Sequence, residues 1–164
     1  MAKPLLTYLH DHLAGARFAV SLLQDLSDQK VDSEVAQCAA RLLPAVEQDR
    51  AALEADLKRV GDDGSMVKDV AAWVTQKASR FKLALHDPFG LFEAIEMLSL
   101  GVLGKIALWN ALKSLRDGQG KAAGQNVTGL DLEQLILRAH DQYQQLESLR
   151  LRLAVETLTA QPEN

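Results

Sequence analysis

Three consecutive stretches decide the fold: PLLTYLHDHLAGARFAVSLLQDLSD (4–28), QKVD (29–32) and SEVAQCAARLLPAVEQDRAALEADLKRV (33–60). Leu5, Leu9, His12, Ala16, Ala19, Leu23 and Leu26 recur at alternating steps of three and four, the spacing of one helix face. Pro4 suits the first turn, where a missing N–H costs nothing. Val35, Ala39, Leu42, Val46, Asp49, Leu53, Leu57 and Val60 form a matching stripe, opened by Asp32 or Ser33 as a cap and stopped by Gly61. Pro44 lies inside this second helix and is expected to kink or locally open it, because its ring removes a backbone bond. So short a link makes neighbours of the two helices. They form an antiparallel hairpin.

The rest of the chain is punctuated in the same way. After the break at Gly61-Asp62-Asp63-Gly64, a helix is expected over 65–85, with Val67, Val70, Val74, Ala78, Phe81 and Leu85 on one face. Asp87 as cap and Pro88 in the first turn open a helix over 88–116. It is apolar nearly all round, so it should be buried on most sides. The polar, glycine-rich stretch 117–128 reads as a mobile loop. Thr128 and Asp131 resemble a capping box for a last helix over 129–158, with Leu132, Ile136, Ala139, Tyr143, Leu146, Leu149 and Leu153 inward. No stretch alternates as a strand would. The fold class is all-α, in one domain over 1–164: two antiparallel hairpins with an additional crossing helix.

Composition narrows the functional classes. With 164 residues the chain can bury a core unaided, and its single cysteine, Cys38, rules out an internal disulfide. A net charge of −4 gives no reason to expect a nucleic-acid partner. The longest uncharged run in the apolar helix, Met97 to Gly104, is far short of the ~20 residues a transmembrane segment needs. These features point to a cytoplasmic protein. No nucleophile elbow or phosphate loop occurs, and Gly101-Val102-Leu103-Gly104 reads as a site of close helix approach. Cys38, among alanines, reads as a small packed residue.

Polar residues on the apolar stripes are the candidates for function. Counting back from the hairpin turn, His12 is level with Asp49, and Arg50 adjoins it. If the helix over 65–85 crosses the bundle, Lys105 and His140 reach the same height. Arg41, Glu96 and Arg150 then share a second tier, with Glu93 and Glu147 within about a turn of it. Such groups can form a paired structural layer that fixes register, or a metal centre. His10 and His12 point about 200° apart on a helix, so they do not chelate together; His10 is expected to be exposed and His12 partly buried.

In this arrangement of hairpins, long crossing segment and mid-height polar residues, the chain resembles the ferritin-like superfamily. That resemblance implies a four-helix bundle with a di-metal site built from carboxylates and Glu-x-x-His pairs. The motifs depart from the pattern. Glu47 is followed by Arg50 instead of a histidine, His140 is preceded by Leu137 instead of a glutamate, and on the helix that carries Glu93 and Glu96, Lys105 near the histidine height would repel a cation. The expectation is therefore a bundle with no cofactor and no catalytic residues, acting through self-association. A diverged iron- or manganese-binding oxidoreductase or storage protein is the alternative. A small-molecule pocket near Ala16, Ala19 and Ala39 depends on helix spacing and stays open. The homodimer is expected to form through Leu6, Leu13, Phe18 and Leu22, with Trp73, Ala71 and Ala72 beside them.

Overall fold

Three of the described helices begin where a short acidic side chain takes up free backbone donors. In the computed structural model, which describes residues 3–60, 85–118 and 128–159, Asp32 accepts from the N–H groups of Glu34 and Val35 at 2.9 and 3.0 Å. Asp87 accepts from Gly90 N at 3.0 Å, and Asp131 from Gln134 N at 3.1 Å. The helices are α1 (Lys3–Asp28), α2 (Ser33–Arg59), α3 (Pro88–Gly118) and α4 (Leu132–Leu158). No strand occurs among the described residues. The protein is an all-α four-helix bundle.

α1 packs chiefly on α2 and α3 on α4, with narrower contacts joining α1 to α3 and α2 to α4. Cross-helix bonds fix the directions. Arg152, late in α4, donates to Asp32 at the start of α2 (2.9 Å), while Gly129, just before α4, donates to Asp56 near the end of α2 (2.9 Å). Arg150 reaches Glu96 early in α3 (3.2 Å), and Arg116 late in α3 reaches Glu133 early in α4 (2.8 Å). So α2 and α3 start at one end of the bundle and finish at the other. Arg59 and Pro88 therefore stand at opposite ends of the bundle.

Several expectations change in detail. Thr128 is not the cap of α4; its hydroxyl takes the N–H of Leu130 at 3.1 Å, leaving Asp131 to cap three residues later. α2 continues through Pro44 to Arg59 and closes on Val60, whose N–H reaches Asp56 O at 3.1 Å. α3 is less buried than its composition implies: Met97, Leu100 and Leu103 are 41%, 58% and 42% exposed. Leu13, Phe18 and Leu22 are buried, so they offer no surface to a second copy, and Leu6 is partly buried. His10 is buried as well. The expected helix up to residue 84, Trp73 with its neighbouring alanines, and loop residues 119–127 lie outside the described residues.

The core runs the full length of the four helices. The α2 stripe is buried from Val35 through Leu57, and it meets Leu9, Leu23 and Leu26 of α1, Leu91, Ile95, Leu98 and Trp109 of α3, and Leu132, Leu146 and Leu153 of α4. Cys38 is buried in it, and burial pushes its thiol up. Leucine dominates that list, and filling the interior with it at helical spacing accounts for most of the favourable free energy of folding.

Candidate functional site

Midway along α2 the apolar stripe contains Asp49, which is 3% exposed. A carboxylate taken so far from water requires compensation by cations and donors. Three side chains supply it from two other helices. Lys105 of α3 donates through Nζ to Asp49 Oδ2 at 2.7 Å and to Gln142 Oε1. Arg138 of α4 donates to Asp49 Oδ1, and Gln142 Nε2 to Asp49 Oδ2 at 3.3 Å. Arg138 and Gln142 are one helical turn apart, so both reach the same carboxylate. Burial lowers the Lys105 pKa, an effect that Asp49 opposes and nearby Arg138 reinforces. Two cations on one carboxylate leave this knot with an excess of positive charge.

A cavity of about 200 Å³ lies against the knot, between α1 and α3 and reaching α2 and α4. Its walls are mostly aliphatic, with Leu23, Leu42, Val46, Leu53, Leu98 and Leu108 prominent among them. Its polar contributors are Asp11, His12, Asp49, Arg50, Lys105 and Gln142. The space exists because small residues face one another where α1 meets α3. A Cβ built on Gly15, Gly101 or Gly104 would meet no described atom within 4 Å. Among the described helices none packs closely on Gly101 or Gly104. Trp109, 1% exposed, closes part of the wall, and its indole N–H is buried without an acceptor.

The residues singled out in the sequence are distributed unevenly over this geometry. Asp49 and Lys105 meet directly. His12 lines the cavity but packs edge-on against Tyr8, with ring centroids 4.6 Å apart, and makes no hydrogen bond to Asp49. Burial lowers the His12 pKa, partly offset by Asp11. Arg50 also lines the cavity and donates to Glu54 at 3.0 Å, a carboxylate that Arg17 shares. His140 is exposed and takes no part. The α4 positions that face Asp49 are 138 and 142, and a residue two along a helix points about 200° away.

The second tier divides likewise. Arg150 binds Glu147 at 2.8 Å and Glu96 at 3.2 Å, whereas Arg41 turns to Gln145 at 3.1 Å and Glu93 is exposed with no described partner. Near the hairpin turn, Arg152 gathers Asp32 at 2.9 Å, Glu34 at 3.0 Å and Glu156 at 2.8 Å. Sequence reasoning missed Arg138, Gln142 and Trp109. Gln142 could have been found: it falls on the Ala139–Leu146 face, where an amide is otherwise out of place. Among the described residues no group of three or more His, Cys, Asp or Glu side chains comes together to hold a metal ion, and no helix is long and apolar enough to cross a membrane.

The arrangement is therefore a four-helix bundle with a polar knot and an adjoining apolar cavity. No family model, curated protein or solved structure matches the chain.

Proposed function

We propose that the protein is a non-catalytic, ligand-binding helical bundle of the ferritin-like kind, whose interior holds a small organic molecule in place of metal ions. The cavity beside the Asp49–Lys105 pair carries this reading. A concave, mostly apolar space with a few convergent polar groups is the usual form of a small-molecule site. The ferritin-like assignment draws support from the directions of α1 to α4 and the long connection between Arg59 and Pro88. The place of the superfamily's metal carboxylates is filled by one aspartate and two cations, a set that repels a metal ion instead of binding it. A cytoplasmic setting fits the lone buried thiol of Cys38.

Toluene, small and neutral, tests the reading. Bound in the cavity, it stabilises the native state by mass action and raises the melting temperature as its concentration rises. Replacing Ala16, which lines the cavity, with Leu should abolish that rise. A melting temperature indifferent to toluene in the unsubstituted protein would sink the proposal.

A second reading, self-association as a homodimer, rests on a different surface. Met97, Leu100 and Leu103 stand exposed at successive helical steps on α3. In this reading they meet the same stripe of a second copy about a two-fold axis. Sedimentation equilibrium of Leu100→Glu beside the unsubstituted chain tests it. A monomer in both at micromolar concentration removes the homodimer.

A further inference from the structure

The side chains that line the cavity are unequal in the polar atoms they carry. Two of the side chains lining it carry a buried polar atom without a hydrogen-bond partner, Nε of Arg50 and Nε1 of Trp109, and both atoms are donors. Lys105 adds to the imbalance. An ammonium has three N–H donors, and two of them are taken by Asp49 and Gln142. The acceptors nearest Lys105 are already engaged: Asp49 receives Lys105, Arg138 and Gln142, and the amide oxygen of Gln142 receives Lys105. Buried donors left unmatched cost free energy, so such a surplus calls for acceptors that the chain itself does not provide.

Charge points the same way. Asp49 balances one of its two cationic partners and not both. Among the described residues Arg50 pairs with one carboxylate, Glu54, which it shares with Arg17. Asp11 also lines the cavity, but it is exposed to water, where its charge is screened. The remaining walls are aliphatic, and they set the size of what fits. An apolar cavity of about 150 Å³ holds benzene. One of about 200 Å³ has room for a ring of that size with a short substituent.

Resting on the ligand-binding reading above, we propose that the cavity takes a small monocarboxylate with an apolar body of about one aromatic ring, its carboxylate accepting from Lys105, Trp109 and Arg50 and its body lying among the leucines of α1, α2 and α3. No covalent step is involved. Lys105 supplies the charge, and Trp109 supplies a neutral donor and part of the wall.

Calorimetric titration with 3-phenylpropionate and with its neutral amide, 3-phenylpropanamide, provides the test. The carboxylate should bind about tenfold or more tightly than the amide, the scale of a charge-assisted hydrogen bond. In Lys105→Gln that preference should shrink to within about threefold. Trp109→Phe keeps the ring and loses the N–H, so it should weaken the carboxylate several-fold even if Lys105→Gln does not fold. The same variant assigns the indole N–H resonance of Trp109, which should shift on adding the carboxylate. Equal affinity for carboxylate and amide, or a preference that survives in Lys105→Gln, overturns the anion assignment and leaves the cavity reading standing. If neither compound binds and toluene gives no stabilisation, the cavity reading falls as well.

Discussion

Asp49 at mid-height and Glu96 nearer the hairpin turn are both carboxylates held by a basic side chain from another helix, yet their surroundings differ. The Asp49 side chain is 2% exposed and that of Glu96 45%. Water already solvates Glu96 well, so its bridge to Arg150 replaces one good environment with another. Asp49 has no such reserve and depends wholly on Lys105, Arg138 and Gln142. The same pairing chemistry is thus close to neutral at one height of the bundle and indispensable at another. At the buried height it adjoins a cavity.

The largest effect should come from breaking the buried side. Asp49→Ala leaves Lys105 and Arg138 without their carboxylate and should cost about 3–5 kcal/mol in urea unfolding. Replacing Asp49 and Lys105 together with Leu should cost clearly less, because no buried ammonium is then stranded. If the double variant loses as much as the single, the two residues are not coupled.

A smaller effect, of opposite sign, sharpens the contrast between packed and open parts of α3. Gly101→Ala should stabilise the protein by about 1 kcal/mol, since helical Ala is favoured over Gly and its Cβ meets no described atom. A destabilised variant would mean that Gly101 is packed against another element after all.

On the exposed side, Arg150→Ala should cost only about 0.5 kcal/mol, and less in high salt. A loss approaching that of Asp49→Ala would erase the distinction between the two heights.

The smallest effect is a pH dependence at the cavity. The folded pKa of His12 lies below the unfolded value of about 6.5. As pH falls through 6.5 the unfolded chain takes the proton first, so stability declines until the folded pKa is reached. Above that window the contribution is constant. His12→Gln should remove the decline, measured as urea midpoints between pH 7.5 and 5. An unchanged slope would assign it to another group.

Much of the architecture was legible from spacing alone. The α2 stripe from Val35 to Leu57 is buried as a unit, and Asp32 and Asp87 cap the helices they precede. These features follow from local rules: a period near 3.6 residues, and short acidic side chains where free N–H groups collect. Heights counted from a tight turn are nearly local too, because helical rise is constant. That is why Asp49 and Lys105 could be considered together before any coordinates. Rotation about each helix axis was harder to read. An error of one or two residues moves a side chain to another face, and so His140 took the place that belongs to Arg138 and Gln142.

By itself, then, the sequence determined the four described helices, the Asp32 and Asp87 caps, the hairpin and the polar interruptions at mid-height, all of which depend on neighbours a few residues apart. The tertiary structure alone decided which donors meet Asp49, that Leu13, Phe18 and Leu22 are covered, and that no described element packs closely on Gly101 or Gly104. Each of those depends on the distance and rotation between helices far apart in the chain, and helix packing tolerates enough variation in both to close a cavity of about 200 Å³ or leave it open.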